Sequence, residues 1–379
     1  METTVSNKIT ILNFVCTLCI CYYHFLCTTP QMHPFFIAAS NYMCFIAMAV
    51  FFMSSGFLLF NGADSWQDMK TKLIRRRYTL LIPFLIWNTI SIFVYWRYSV
   101  ITDIITKGSF TFSFRDLINN YFTGPINGPT WYLLAVYFLS LVASLIIKIK
   151  DKKKIVTCGF VIVLVFLYLR SSGIIPVLFR ADEWWWYYNL ISYCPYFLIG
   201  CYIGLYHKDI VAKFEPKLYI NIISLVVFIG LTAIYNLGLV GPVSYWVGFL
   251  IIISLWLSLP NKLFRSNLKG ITQTSFFIYV MHIPIINPLI GWIFSCVLND
   301  INRSFFASLG FSAIIVLSSV VICIIILVIL KLIFFKSNKA FMLLSGGRVK
   351  NDFALHLEKE KEIANKQEIC KQNSNNLNE

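Results

Sequence analysis

Apolar residues fall into ten runs, at about 9–27, 35–60, 78–97, 131–147, 155–170, 187–206, 218–236, 243–259, 271–292 and 306–334. Runs of about 20 apolar residues suit helices that cross a hydrocarbon core roughly 30 Å thick, where every backbone polar group must be paired internally. The pattern predicts an all-α fold, a polytopic membrane helical bundle of about ten transmembrane helices. The first run is longer than a signal-peptide core, follows only Lys8, and precedes no small-residue cleavage site, so it reads as a retained helix. Residues 1–336 form the membrane domain. Residues 337–379 read as a polar tail, helical around 355–362 and then Asn-rich and partly disordered. There is no internal repeat, and no inverted pair of Gly/Pro-broken helices of the kind common in transporters.

Composition agrees. Charged residues make up 13% of the chain, against about 25% in soluble domains. The net charge of +15 does not imply nucleic-acid binding, because the basic residues lie between the apolar runs. Alternate loops and the terminal segments hold 26 of the 32 Lys and Arg; the opposite loops hold Arg97, Lys107, Arg115, Arg170, Arg180 and Arg303. The positive-inside rule then puts both termini in the cytoplasm. Of the eleven cysteines, Cys16, Cys19, Cys21, Cys44, Cys201 and Cys323 lie inside apolar runs and read as small hydrophobes. Cys16 and Cys19 have no second ligand pair, and no metal site is expected.

The polar exceptions inside the runs carry the candidate chemistry. No Asp, Glu, Lys or Arg occurs from Ile9 to Ala63, yet His24 sits in the first run. Thr17, Asn13 and Thr10 precede it by seven, eleven and fourteen residues, which at helical pitch keeps them within roughly 40° of one face. Such a stripe avoids lipid and faces the bundle interior or a wet cavity. In the ninth run, Thr272, Ser275, Tyr279 and His282 share helical spacing, and Pro284 frees backbone groups nearby. Counting from Lys8 and Lys269, His24 rises roughly 24 Å and His282 roughly 20 Å, so the two imidazoles reach similar depths. Histidine can take a proton from a hydroxyl and return it to a leaving group. The alternative is that each ring glues helices through a backbone carbonyl. No Ser-His-Asp set is visible; His33 and His207 lie at loop edges, and His356 lies on the tail surface. In the second long outer loop, Asp182, Glu183 and Trp185 form either an interfacial aromatic belt or a carbohydrate platform.

Three further segments complete a pattern. They are Phe51-Phe52-Met53-Ser54-Ser55-Gly56-Phe57-Leu58, Arg75-Arg76-Arg77-Tyr78 leading to Leu81-Ile82-Pro83-Phe84, and Thr130-Trp131-Tyr132-Leu133-Leu134. With His24 and Ile278-Tyr279-x-x-His282, they resemble the acyltransferase 3 family from about residue 8 to 334. The resemblance implies transfer of an acyl group, usually acetyl, from cytoplasmic acetyl-CoA to a hydroxyl of a surface, secreted or lipid-linked glycan, in a bacterial inner membrane. It implies His24 as general base with His282 assisting, and a substrate channel containing Asn13, Thr17, Ser55, Trp131 and Tyr279. Arg75, Arg76 and Arg77 either grip the CoA phosphates or only set topology. The chain departs from the family at Asn13, where an Arg is usual, and at Pro129, where a His is usual. Export or flipping of a polysaccharide is the competing reading of the same polar path.

Overall fold

The described parts of the ten apolar runs are helical over nearly all their length in the computed structural model, which describes residues 3–27, 32–107, 121, 128–149, 151–172, 174, 185–206, 216–239, 243–264, 274–293, 304–334 and 338–345. In chain order the helices are α1 (Thr3–Cys27), α2 (Pro34–Phe60), α3 (Trp66–Arg76), α4 (Ile82–Lys107), α5 (Trp131–Ser144), α6 (Lys152–Ser171), α7 (Trp185–Leu205), α8 (Leu218–Asn236), α9 (Ser244–Ser258), α10 (Ser275–Met281), α11 (Asn287–Ile293), α12 (Phe305–Ile333) and α13 (Asn338–Leu344). Among the described residues there is no strand. Among the described residues, seven helical stretches are long and apolar enough to cross a membrane: Val5–Leu26, Pro34–Phe60, Trp66–Val94, Gly128–Lys148, Leu218–Asn236, Ser275–Trp292 and Phe305–Ile333. Leu190–Leu205 and Trp246–Ser258 are apolar but shorter.

The third span differs from its expected outline. Residues 70–76 are not a loop but part of α3, which a capping box starts at Ser65. The Ser65 hydroxyl accepts from the Asp68 N–H at 3.2 Å, and the Asp68 carboxylate accepts from the Ser65 N–H at 3.0 Å. Nothing between Trp66 and Ile82 is Gly or Pro, so the helix continues. It widens into a π turn at Arg77–Leu81, just before Pro83, whose ring nitrogen has no N–H to donate. A second π turn, His282–Ile286, contains Pro284 and joins α10 to α11. Both prolines are thus absorbed by widening the helix rather than by ending it.

Helix α2 is the hub, packing most extensively on α7 and then on α1. Glycine makes the α2–α7 crossing close. A Cβ on Gly56 would lie 2.1 Å from the Phe197 carbonyl oxygen, and one on Gly200 would lie 2.0 Å from that of Met53. Helices in lipid associate by such small-residue contacts, because lipid tails are as apolar as the side chains. An aromatic layer of Phe52, Trp131 and Tyr193 fills the space beside the crossing, with Phe52 stacked on Tyr193 at 5.4 Å. By contrast α8, which packs chiefly on α9, and α12 turn most of their surface outward, where Ile222, Val226, Leu317 and Val321 meet lipid.

Two terminal segments are tied into this body. Lys8 is 1% exposed. Its ammonium donates to the Trp256 and Leu259 carbonyls at 2.6 and 2.8 Å and lies 4.3 Å from the Trp256 ring centroid. Changing Lys8 to Met leaves both carbonyls without that donor and is expected to cost about 1–3 kcal/mol, read as a lower thermal midpoint in detergent. At the other end, Phe341 of α13 is fully buried and stacks on Phe277 at 5.7 Å. The Trp87 indole N–H donates to the Leu344 carbonyl at 3.1 Å. The first residues of the predicted polar tail therefore pack between α4 and α10.

Candidate active site

The polar stripe of α1 is less open than its spacing suggests. Thr10 donates to the Ser6 carbonyl at 2.8 Å, and Thr17 donates to the Asn13 carbonyl at 2.9 Å. Both hydroxyls are used by their own helix, four residues back. The buried Oδ1 of Asn13 has no hydrogen-bond partner. His24, one turn from the end of α1, is half-buried and meets the ring of Tyr23 at 4.9 Å.

The other ring beside His24 is His282. The two centroids are 5.3 Å apart with an interplanar angle of 41°. His282 is fully buried, at the first position of the π turn after α10. Its Nδ1 lies 2.6 Å from the Tyr279 carbonyl oxygen. A carbonyl only accepts, so Nδ1 carries the proton and donates, which leaves Nε2 with its lone pair. That Nε2 is buried and has no hydrogen-bond partner.

A column of polar groups continues from this pair through the core. The Tyr279 hydroxyl donates to the Pro129 carbonyl, and its ring lies 5.9 Å from that of Tyr132. The Tyr132 hydroxyl bonds the Ser55 hydroxyl at 2.7 Å and donates to the Phe51 carbonyl at 3.1 Å. The Ser55 carbonyl accepts from the Arg76 guanidinium at 2.5 Å, and the Ser140 hydroxyl accepts from its other terminal nitrogen. Arg76 thus reaches inward from the junction of α3 and the π turn and spends these bonds on neutral partners. Arg75 and Arg77 are exposed, with the Arg77 guanidinium 5.0 Å from the Tyr78 ring centroid.

The structure therefore gathers His24, His282, Tyr279, Ser55 and Arg76 along one column and leaves Arg75 and Arg77 at the surface. Thr17 is 2% exposed and Trp131 is 7% exposed, packed in the aromatic layer. Asp182 and Glu183 lie outside the described residues, as does the side chain of Trp185. Sequence reasoning quoted Thr130 and Tyr132 within a family segment but gave neither a role at the site, and it passed over Ser140 and Asn88. Thr130 donates to the Asn88 side-chain oxygen at 2.8 Å, and both are buried. Asn88 had a signal: it is the only carboxamide in the run 78–97.

A family model described as an acyltransferase domain matches residues 7–328, a stretch that contains the whole column. The chain belongs to the acyltransferase 3 family. Its all-helical body, with helices fit to cross a membrane, makes this acyltransferase 3 protein a multi-pass membrane acyltransferase. Comparisons with curated proteins and with solved structures gave no match. In an acyltransferase the two imidazoles are the groups of the column suited to moving a proton near neutral pH.

Proposed function

We propose that this protein is an O-acyltransferase that moves an acyl group, acetyl in the usual case, from cytoplasmic acyl-CoA to a hydroxyl of a surface or secreted polysaccharide. The observation that carries the reading is the His24–His282 pair, with rings 5.3 Å apart and the buried His282 Nε2 left open. His24 is the less buried of the two and is the general base. As the acceptor oxygen adds to the thioester carbonyl carbon, its proton passes to His24. The tetrahedral intermediate then collapses, the C–S bond breaks, and His24 returns the proton to the departing thiolate. The products are an ester and free CoA thiol.

His282 completes the proton handling without a carboxylate. Its Nδ1–H is held by Tyr279, so its Nε2 lone pair can accept the N–H of the imidazolium formed at His24. That is the service an aspartate gives in a serine-hydrolase triad. Ten crossings with both termini cytoplasmic put the α3 end of the column on the donor side and the His24 end toward the outer leaflet. Arg76 then meets the anionic donor from within, and Arg75 and Arg77 meet it from the surface, since guanidinium forks suit phosphate oxygens. Asp182, Glu183 and Trp185 remain candidates for the glycan side.

The test is chemical. Mass spectrometry of cell-surface and secreted glycans is expected to show ester-linked acyl groups in the parent strain. They are expected to vanish when the gene is deleted and to return on complementation. Purified protein is expected to carry label from acyl-labelled acetyl-CoA to the deacylated glycan. Unchanged ester content in the deletion strain rules the reading out.

A further inference from the structure

Besides Asn13 Oδ1 and His282 Nε2, a third buried side-chain atom among the described residues has no hydrogen-bond partner. Asn88 is 1% exposed, on α4, and its side-chain oxygen accepts from Thr130. The Nδ2 of the same carboxamide is buried with no hydrogen-bond partner. Buried donors are nearly always paired, and in membrane surroundings an unpaired one is costly to keep. An amide held by one atom with the other left bare is what a polar ligand requires.

Its neighbours connect that bare donor to Tyr279 and His282. Thr130 follows Pro129, whose carbonyl accepts from Tyr279. Tyr279 in turn fixes the tautomer of His282. A Cβ on Gly128 would lie 3.7 Å from the Ile283 side chain, so the Gly128–Thr130 turn sits directly against the π turn that carries His282. On the other side of Asn88, Trp87 meets the Phe277 ring of α10 at 6.5 Å and donates to Leu344. One short turn therefore connects Asn88 to Tyr279 and His282, and the cluster holds two empty valences: the Nδ2–H donor of Asn88 and the Nε2 acceptor of His282.

We propose that Asn88 is a substrate-contacting residue of the acyl-transfer site, its free Nδ2–H donating to a carbonyl oxygen of the acyl donor, either the thioester carbonyl or an amide carbonyl in the arm behind it. This rests on the reading of acyl-CoA as donor. If the partner is the thioester, the N–H meets the oxygen on which negative charge gathers when the acceptor adds. The bond strengthens in the tetrahedral intermediate and relaxes when the C–S bond breaks. If the partner is an arm amide, the bond holds the donor and is equally strong before and during reaction.

Two variants separate these. Asn88→Leu keeps the side-chain volume and removes both polar atoms; Asn88→Ala removes the volume as well. With a thioester contact, each is expected to lower kcat about 10²–10³-fold, the usual loss for one oxyanion donor. With an arm contact, KM for acetyl-CoA is expected to rise with kcat retained. Isotope-edited infrared spectroscopy on the wild-type protein gives a reading that needs no variant. Acetyl-CoA labelled with 13C at the thioester carbonyl, or separately at the arm amides, is expected to show one carbonyl band moved to lower frequency on binding. Folded Asn88→Ala protein with wild-type kcat and KM overturns the proposal and leaves the donor assignment standing. So does the absence of a shift in both bands, even where neither variant folds. Wild-type protein that binds no acetyl-CoA overturns the donor assignment and this proposal together.

Discussion

Replacing His24 with alanine is expected to lower acyl transfer by about 10²–10⁴-fold, the contribution of a positioned general base, with normal amounts of protein in the membrane. The ring is half-buried near the end of α1, in contact with Tyr23 and His282, and not among the fully buried groups that fill the core. It makes no hydrogen bond to a backbone carbonyl among the described residues, so its removal strips none of a donor. The check is label transfer from acetyl-CoA by purified protein in nanodiscs, alongside a measurement of polysaccharide reaching the cell surface. An acyltransferase that has lost His24 delivers unmodified polymer; an exporter that has lost it stops delivery. Full acylation by the variant removes His24 from the mechanism. His282→Gln is expected to lose less than His24→Ala in the same assay, because it assists a base that is still present.

The second large effect concerns folding. Gly200→Leu is expected to cost about 3 kcal/mol or more and to remove folded protein from detergent extracts. At this position even a methyl group meets the α2 backbone: the Met53 oxygen at 2.0 Å, the Met53 carbonyl carbon at 2.8 Å and the Phe57 nitrogen at 2.9 Å. Backbone in the middle of α2 cannot step aside as a side-chain tip can, so the helices must separate. That movement carries Ser55 away from Tyr132 and Arg76 and opens the column. Gly230→Ala is the control. A Cβ there has nothing within 4 Å, and in an outward-facing helix alanine is favoured over glycine by about 0.8–1 kcal/mol. Size-exclusion profiles and thermal midpoints of the two variants should move in opposite directions. A Gly200→Leu protein as stable as wild type contradicts the close crossing.

The apolar runs announced the helices because membrane burial leaves few other ways to pair a backbone. Depth along a helix is close to linear in residue number, which is why counting from Lys8 and Lys269 brought His24 and His282 to one level, where their rings lie 5.3 Å apart. Orientation around an axis was harder to read. Arg75, Arg76 and Arg77 look alike in sequence, yet only Arg76 points inward, because the path of the chain into the π turn before Pro83 sets which of the three meets Ser55 and Ser140. Thr10 and Thr17 share a face with His24 but bond back to their own helix, a choice that depends on rotamer and not on spacing. Gly56 stood in the sequence as part of a motif; its reason, contact with the α7 backbone, exists only between two helices far apart in the chain. Asn88 was visible as an amide among apolar neighbours but had no signal for its partner, since Thr130 is 42 residues away.

The docking of α13 bears on how the protein is made. Phe341 and the Leu344 carbonyl bind Phe277 and Trp87, but a ribosome reaches them only after every apolar run has been synthesised. Until then α4, which carries Asn88, and α10, which carries Tyr279 and leads into the turn of His282, lack the segment that packs against both. The bundle can thread into the bilayer span by span, yet the helices around the candidate site gain these contacts only when α13 docks.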